Sequence, residues 1–125
     1  MEKKCEEIFR EIMALVPEAD FKAIRERRDG KFKFEIFIND KLRSTSIEAL
    51  DLSPRSINCL HRAGFETIAD VVEQIEGSED LRKIRSCGTK SVNEIMEQLF
   101  CYQYMQLKPE KKMNYIAKVL KLNLD

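Results

Sequence analysis

Two stretches of the chain, each expected to enter a helix from a loop, carry polar and basic groups suited to contacting a nucleic-acid backbone. In the upstream stretch Ser53 is a favoured N-cap and Pro54 fits the first helical position. Arg55 and Asn58 then project from one end of the helix three residues apart, so a long cation stands beside an amide. An arginine so placed can enter a narrow A·T-rich minor groove, and an asparagine can bond to a base edge or a sugar.

In the downstream stretch Gly88 lets the chain turn closely before an expected first helical turn that contains Lys90 and Ser91. The helix itself is predicted from an apolar stripe at helical spacing, formed by Val92, Ile95, Met96 and Leu99. Amide groups at such a helix end, together with the helix dipole, attract a phosphate, and Gly88 permits a close backbone approach. Lys90 adds a positive charge and Ser91 a hydroxyl donor, so this stretch predicts a phosphate contact.

No set of residues in the sequence predicts catalysis or a cofactor. The single histidine, His61, lies two residues from Cys59, so on a helix the two side chains point to nearly opposite sides, and no acidic group accompanies them as an orienter. The cysteines have neither the paired spacing of a zinc site nor the density of a disulfide scaffold; they are Cys5, Cys59, Cys87 and Cys101. We therefore expect reduced, mostly buried thiols, no metal site and no catalytic residue.

The composition indicates a soluble globular protein, since 43% of the 125 residues are hydrophobic and 35% are charged. No run of about 20 apolar residues could span a bilayer, and the chain starts with charged residues, so we expect a cytoplasmic location. The net charge of zero is unevenly distributed: residues 1–45 carry 11 basic and 10 acidic side chains, residues 46–107 carry 6 and 10, and residues 108–125 carry 5 and 2. An acidic DNA-binding segment relies on a local patch, which predicts weak binding with a shallow salt dependence.

Residues 2–16 read as an amphipathic helix that Pro17 ends. A β-hairpin is predicted next, because apolar residues alternate strictly after the favoured tight turn Asp29-Gly30. The alternating residues are Phe32, Phe34, Ile36 and Ile38. A helix with one hairpin is marginal alone, so we expect it to pack against the C-terminal helix, the central domain or a second copy of the chain. Phe37 points away from the alternating row and is a candidate protein contact.

The order of these pieces makes residues 46–107 resemble the C-terminal domain of the bacterial RNA polymerase α subunit, a compact helical domain with a helix-hairpin-helix-like element. The resemblance rests on Ile47-Glu-Ala-Leu-Asp-Leu-Ser-Pro-Arg-Ser-Ile-Asn-Cys-Leu60, Ile68-Ala-Asp-Val-Val72 and Cys87-Gly-Thr-Lys-Ser-Val-Asn-Glu-Ile95. In that family one surface holds the minor groove of upstream promoter DNA. The positions that match its motif are Arg55, Asn58, Gly88, Lys90, Ser91 and Glu94. The resemblance implies that Glu94 orients the basic groups rather than touching phosphate.

The sequence departs from the family pattern at two places that bear on its contacts. The family commonly has a second lysine after the glycine, where this sequence has Thr89, which implies lower DNA affinity. The acidic patch by which the family meets a σ factor is partly present, with Glu48 and Asp51 retained and Ala49 between them. Glu48 and Asp51 are therefore candidate protein contacts.

We predict an α+β, mainly α protein in three parts. These are an N-terminal helix and β-hairpin unit (1–45), a helix-hairpin-helix-like DNA-binding domain (46–107) and an appended C-terminal amphipathic helix (108–125). The predicted function is a non-enzymatic transcription accessory that contacts the A·T-rich minor groove of double-stranded DNA, with RNA polymerase, a σ factor or regulators as further candidate partners and a homodimer left open. The alternatives are an adaptor that docks on those partners without binding DNA, and a repair or recombination subunit that clamps branched or nicked DNA.

Overall fold

The computed structural model describes residues 5–27, 33–37, 39–76 and 87–124, and its regular elements in that part of the sequence are helices. They are α1 (Cys5–Leu15), α2 (Phe21–Arg27), α3 (Asp40–Ser44), a 3₁₀ helix (Ile47–Leu50), α4 (Pro54–Arg62), α5 (Ile68–Glu76), α6 (Thr89–Gln106) and α7 (Pro109–Leu124). None of the helices in these described ranges is long and apolar enough to cross a membrane.

The chain divides into two compact units, and the division falls within α6. We call Met1–Glu35 with Phe100–Asp125 the terminal unit, and Ile36–Leu99 the central unit. The two ends of the chain therefore share one unit, while the segment between them forms the other.

The core of the terminal unit is built around Phe100, which is fully buried. Its ring stacks on Phe9 of α1 at a centroid distance of 5.6 Å and meets the edge of Phe21 of α2 at 5.1 Å. Tyr115 of α7 stacks on it at 5.9 Å. The N-terminal helix and the C-terminal helix thus pack on the same residue of α6, Phe100, in one apolar core.

The predicted β-hairpin, and with it the α+β fold class, is wrong. The hairpin requires a first strand before the turn, with Phe21, Ala23, Arg25 and Arg27 on one face. These residues instead form α2, because Asp20 accepts a hydrogen bond from the Ala23 amide at 3.2 Å, and Phe21 and Ile24 are buried at helical spacing. The expected turn Asp29-Gly30 lies outside the described residues, as do Phe32 and Ile38. The described stretch 33–37 contains no strand.

Side chains of α7, rather than a second strand, form hydrogen bonds with the backbone of Lys33 and Glu35. The buried amide of Asn123 accepts from the Lys33 N–H at 2.8 Å and donates to the Lys33 carbonyl at 2.7 Å. The Tyr115 hydroxyl donates to the Glu35 carbonyl at 2.7 Å, and its burial, with the charge of Glu35, raises the pKa of Tyr115. The ring of Phe34 packs on Phe100 with centroids 5.7 Å apart. This extended segment is therefore held against a helix.

In the central unit, short polar residues start the helices where the sequence places them. Asn39 caps α3 by accepting from the Leu42 amide, and Ser46 caps the 3₁₀ helix by accepting from the Glu48 amide. An isolated antiparallel bridge joins Ser46 to Thr67, which sets the start of the 3₁₀ helix beside the start of α5. The helix starts are fixed locally, without a sheet in the described residues.

The loop between α4 and α5 is closed at both ends by hydrogen bonds. Gly64, with φ of +88°, ends α4 in the left-handed conformation, and the Phe65 amide returns to the Leu60 carbonyl at 2.9 Å. The Asp70 carboxylate accepts from the Glu66 and Thr67 amides, each at 3.1 Å, and those backbone bonds lower the pKa of Asp70. The left-handed Gly64 thus marks the end of α4, and the hydrogen bonds to Asp70 mark the start of α5.

Candidate nucleic-acid interface

The N-terminus of α4 is organised as the sequence predicts. Ser53 is the N-cap, in extended backbone, and its hydroxyl accepts from the Ser56 amide at 3.4 Å. Pro54 occupies the start of the helix. Arg55 is exposed and Asn58, three residues on, follows one helical turn later on the same side of the helix. The cation therefore stands on the solvent side of this helix end.

The N-terminus of α6 begins at Gly88. The first helical hydrogen bond runs from the Val92 amide to the Gly88 carbonyl at 3.0 Å, so the amides of residues 89–91 have no carbonyl partner within the helix. Gly88 and Lys90 are exposed, whereas the Ser91 side chain is only 4% exposed. A Cβ added at Gly88 would meet no atom within 4 Å, so the space beside this backbone is open.

Glu94 of α6 holds the cap of α4. Its Oε1 accepts from both the amide and the hydroxyl of Ser53, each at 2.9 Å. Burial acts to raise the pKa of the Glu94 carboxyl, but hydrogen bonds from Ser53 and Ser56 outweigh it, so the pKa is lowered. The charged form of Glu94 is therefore favoured, and it faces the start of α4.

A second link joins the same two segments. Cys59 of α4 and Cys87, the residue before Gly88, form a disulfide with Cα atoms 5.6 Å apart, inside the usual range for such a bond. The expectation of reduced thiols is therefore wrong for this pair, and it stays a prediction for Cys5 and Cys101. The sulfur atoms of Cys5 and Cys101 lie in contact, 2.7 Å apart.

The two links bracket the predicted DNA-contact residues. Arg55 and Asn58 lie between Ser53 and Cys59 in α4, while Gly88, Lys90 and Ser91 lie between Cys87 and Glu94. Ser53, at the start of the first segment, contacts Glu94, at the end of the second. Cys59, at the end of the first segment, is bonded to Cys87, at the start of the second. The two segments therefore run in opposite directions.

The disulfide limits how far apart the two halves of the predicted surface can lie. Consecutive Cα atoms are about 3.8 Å apart, so the Cα atoms of Asn58 and Gly88, each next to a bridged cysteine, lie within roughly 13 Å of each other. That is close enough for both to reach one stretch of nucleic-acid backbone. The other predicted contact residues lie near these two positions, Arg55 in α4 and Lys90, Ser91 and Glu94 in α6.

The candidate protein-contact residues lie elsewhere in the central unit. Glu48 is exposed on the 3₁₀ helix, and Asp51 is exposed at its C-terminal end with φ of 42°. Phe37 is 51% exposed. Glu48 and Asp51 share one short turn, so they form a compact acidic feature.

Sequence reasoning missed the pairing of Cys59 with Cys87 and the direct bond of Glu94 to Ser53. The cysteines are separated by 28 positions, and spacing of that kind carries no pairing signal. One signal was available, since each cysteine is the immediate neighbour of a predicted contact residue, Asn58 or Gly88.

Comparison with known proteins identifies the family of the central unit. The family model for the C-terminal domain of the alpha subunit of bacterial RNA polymerase matches residues 37–100, almost the bounds of the central unit. The protein belongs to this family, which confirms the resemblance assigned from the sequence. Membership supports a role in transcription and DNA binding.

Individual relatives are α subunits of DNA-directed RNA polymerase. That of Moorella thermoacetica is 48% identical over 60 residues, which are 48% of this chain and 18% of the relative. That of Borreliella afzelii is 34% identical over 122 residues, or 97% of this chain and 33% of the relative. That of Symbiobacterium thermophilum is 34% identical over 99 residues, covering 78% and 29%. The matched part spans about a third or less of the length of these relatives. No solved structure was found to match.

Proposed function

We propose that this protein acts in bacterial transcription by binding the A·T-rich minor groove of duplex DNA, without catalysing a reaction. Arg55 enters the groove and Asn58 bonds to a base edge or sugar, while the amides after Gly88 and the charge of Lys90 hold a phosphate. The observation that carries the proposal is the pair of links, Ser53 to Glu94 and Cys59 to Cys87, which sets the two helix starts side by side.

The burial of Ser91 assigns it a particular part in this proposal. With a side chain only 4% exposed, it contributes through its backbone amide in the first turn of α6 rather than as a surface hydroxyl. Glu94 acts as a positioning residue, because its carboxylate is engaged with Ser53 and a like charge would repel phosphate. Among the predicted DNA-contact residues, the cations are therefore Arg55 and Lys90.

Two cationic contacts predict weak and only mildly salt-dependent binding. If each of these two cations neutralises the charge of one phosphate, and each neutralised phosphate contributes about −0.9 to the slope of log affinity against log salt, the expected slope is about −2. Residues 46–107 carry 6 basic and 10 acidic side chains, so no long-range attraction adds to these contacts. A slope of about −6, the value for many phosphate contacts, would contradict this arrangement.

The test is fluorescence anisotropy of labelled A·T-rich and G·C-rich duplexes with wild type, Arg55→Ala and Lys90→Ala. We expect Arg55→Ala to remove most binding and the A·T preference, and Lys90→Ala to weaken binding to both duplexes alike. Arg43→Ala is the matched control, because Arg43 is exposed on α3 and forms an ion pair with Glu73 of α5. If Arg55→Ala binds as well as wild type, this surface is not the one that contacts DNA.

A second candidate function is favoured by the exposed acidic turn. Glu48 and Asp51 stand on one 3₁₀ turn and suit a basic surface on RNA polymerase, a σ factor or a regulator. The double change Glu48→Gln and Asp51→Asn should then weaken co-purification with polymerase while leaving duplex affinity unchanged. Loss of duplex affinity in this variant would assign the turn to the DNA surface instead.

A further inference from the structure

Cys59 and Cys87 each lie next to a predicted DNA-contact residue, a position that packing alone does not require. Cys59 follows Asn58 in α4, and Cys87 precedes Gly88 at the start of α6, so the bond joins the two halves of the proposed DNA surface. The other cysteine pair, Cys5 with Cys101, lies in the terminal unit, outside this surface.

We propose that Cys59 and Cys87 form a reversible disulfide that fixes the start of α6 against α4 and thereby tightens DNA binding. The inference rests on the proposed function for its effect on DNA, but the bond and its effect on the helix start are separate observables. With the bond formed, the residue before Gly88 is tied covalently to α4. With the bond reduced, Cys87 is held by noncovalent packing alone.

Ordering matters because the proposed phosphate site is made of backbone amides. Those of residues 89–91 lie within the first turn of α6, and the helix supplies no carbonyl partner for them. A site that is ordered before binding loses less conformational freedom when the phosphate arrives. We therefore expect the oxidised protein to bind an A·T-rich duplex about threefold to tenfold more tightly than the reduced protein.

The redox step can be written with a low-molecular-weight disulfide as the oxidant. Cys87, 9% exposed, is the more accessible of the two, since Cys59 is fully buried. The Cys87 thiolate attacks one sulfur of the reagent, and the other half leaves as a thiol. The Cys59 thiolate then attacks Cys87 Sγ in the mixed disulfide and releases the second reagent thiol. Two protein thiols are oxidised to one disulfide, and the reagent is reduced to two thiols.

The experiment compares the protein after equilibration with oxidised glutathione and after reduction by a phosphine. Alkylation followed by peptide mass spectrometry reports whether Cys59 and Cys87 are bonded. Amide hydrogen exchange of Val92, whose N–H makes the first hydrogen bond of α6, reports order at the start of that helix, and anisotropy with the A·T-rich duplex reports affinity. We expect a bonded pair, slower exchange and tighter binding in the oxidised sample.

Two variants isolate the pair. Cys87→Ala cannot form the bond, so it should behave like reduced wild type under both conditions. Cys5→Ala, which removes a cysteine of the terminal unit, should keep the full redox response. A response that persists in Cys87→Ala would overturn the assignment to this pair.

The outcomes separate this inference from the proposed function. Full alkylation of Cys59 and Cys87 after glutathione treatment, or bonding without any change in exchange, overturns the inference. Equal DNA affinity in both forms, with Arg55→Ala still defective, also overturns it and leaves the proposed function standing. If neither form binds duplex but exchange slows on oxidation, the proposed function fails while the control of the helix start by this bond is supported.

Discussion

Replacing Gly88 or Gly64 of the central unit with alanine distinguishes an effect on stability from an effect on DNA affinity. At Gly88 an added Cβ meets nothing within 4 Å, and the residue is the N-cap of α6. Alanine is a poorer N-cap than glycine, which costs roughly 0.5–1 kcal/mol, but it reduces the entropy of the unfolded state by a similar amount. We expect the free energy of unfolding of Gly88→Ala to stay within about 0.5 kcal/mol of wild type.

Gly64→Ala is the matched control with the opposite result. Its φ of +88° is a conformation that L residues rarely adopt, although a Cβ there also meets nothing within 4 Å. Alanine at a left-handed position costs about 1–2 kcal/mol. For a unit of this size, each kcal/mol lowers the melting temperature by roughly 4–8 °C.

The effect on DNA affinity should be the opposite, with the larger loss in Gly88→Ala and the smaller in Gly64→Ala. A methyl group at Gly88 occupies the open space through which a phosphate would reach the amides of the first turn, so we expect about a tenfold loss, equivalent to about 1.4 kcal/mol. Gly64→Ala should bind normally at temperatures where it is folded. Thermal melts by circular dichroism and duplex anisotropy supply the two readouts. A folded Gly88→Ala protein with wild-type affinity would refute the close approach of phosphate at this helix start.

Two further predictions concern the framework. Asn123→Leu leaves the Lys33 N–H and carbonyl without partners, so urea unfolding should show a loss of about 2–3 kcal/mol, while Asn114→Leu on the exposed side of α7 should change little. The lowered pKa values of Asp70 and Glu94 stabilise the fold above their ordinary values of 3.8 and 4.5, and this contribution is lost as pH falls from about 5 to 3. Both groups are largely solvent-screened, so the combined effect should be about 1 kcal/mol or less, and an unchanged pH profile of melting in Asp70→Asn with Glu94→Gln would contradict it.

The parts of the fold that sequence reasoning predicted are those specified by neighbouring residues. Ser53 and Pro54 mark the start of α4, and the stripe from Val92 to Leu99 marks α6, because capping and helical periodicity act within a few residues. The candidate surface was predictable to the same extent, since Arg55 and Asn58 are placed by that local start. The links that join the two starts cross 28 and 41 positions, and the sequence pattern alone did not specify them.

The hairpin prediction failed because its evidence was local and the decisive contacts are distant. The alternation through Phe34 and Ile36 satisfies the side-chain pattern of a strand, but a strand also needs a partner for its backbone groups. In the structure Asn123 and Tyr115, separated from Lys33 and Glu35 by 90 and 80 positions, supply those partners, and Phe34 packs on Phe100. A short extended run can therefore show strand periodicity while its hydrogen bonds go to helix side chains.

The same long-range packing explains why the two ends of the chain belong together. Phe100 is the last residue of the family match, yet its ring contacts lie in the flanks, on Phe9 and Phe21 before the match and Tyr115 after it. The similarity to the Borreliella afzelii α subunit extends over 122 residues and so includes residues on both sides of the matched domain. Removing either flank would expose the ring of Phe100, which is fully buried. The flanks thus belong to one compact unit, although the whole of Ile36–Leu99 lies between them in the sequence.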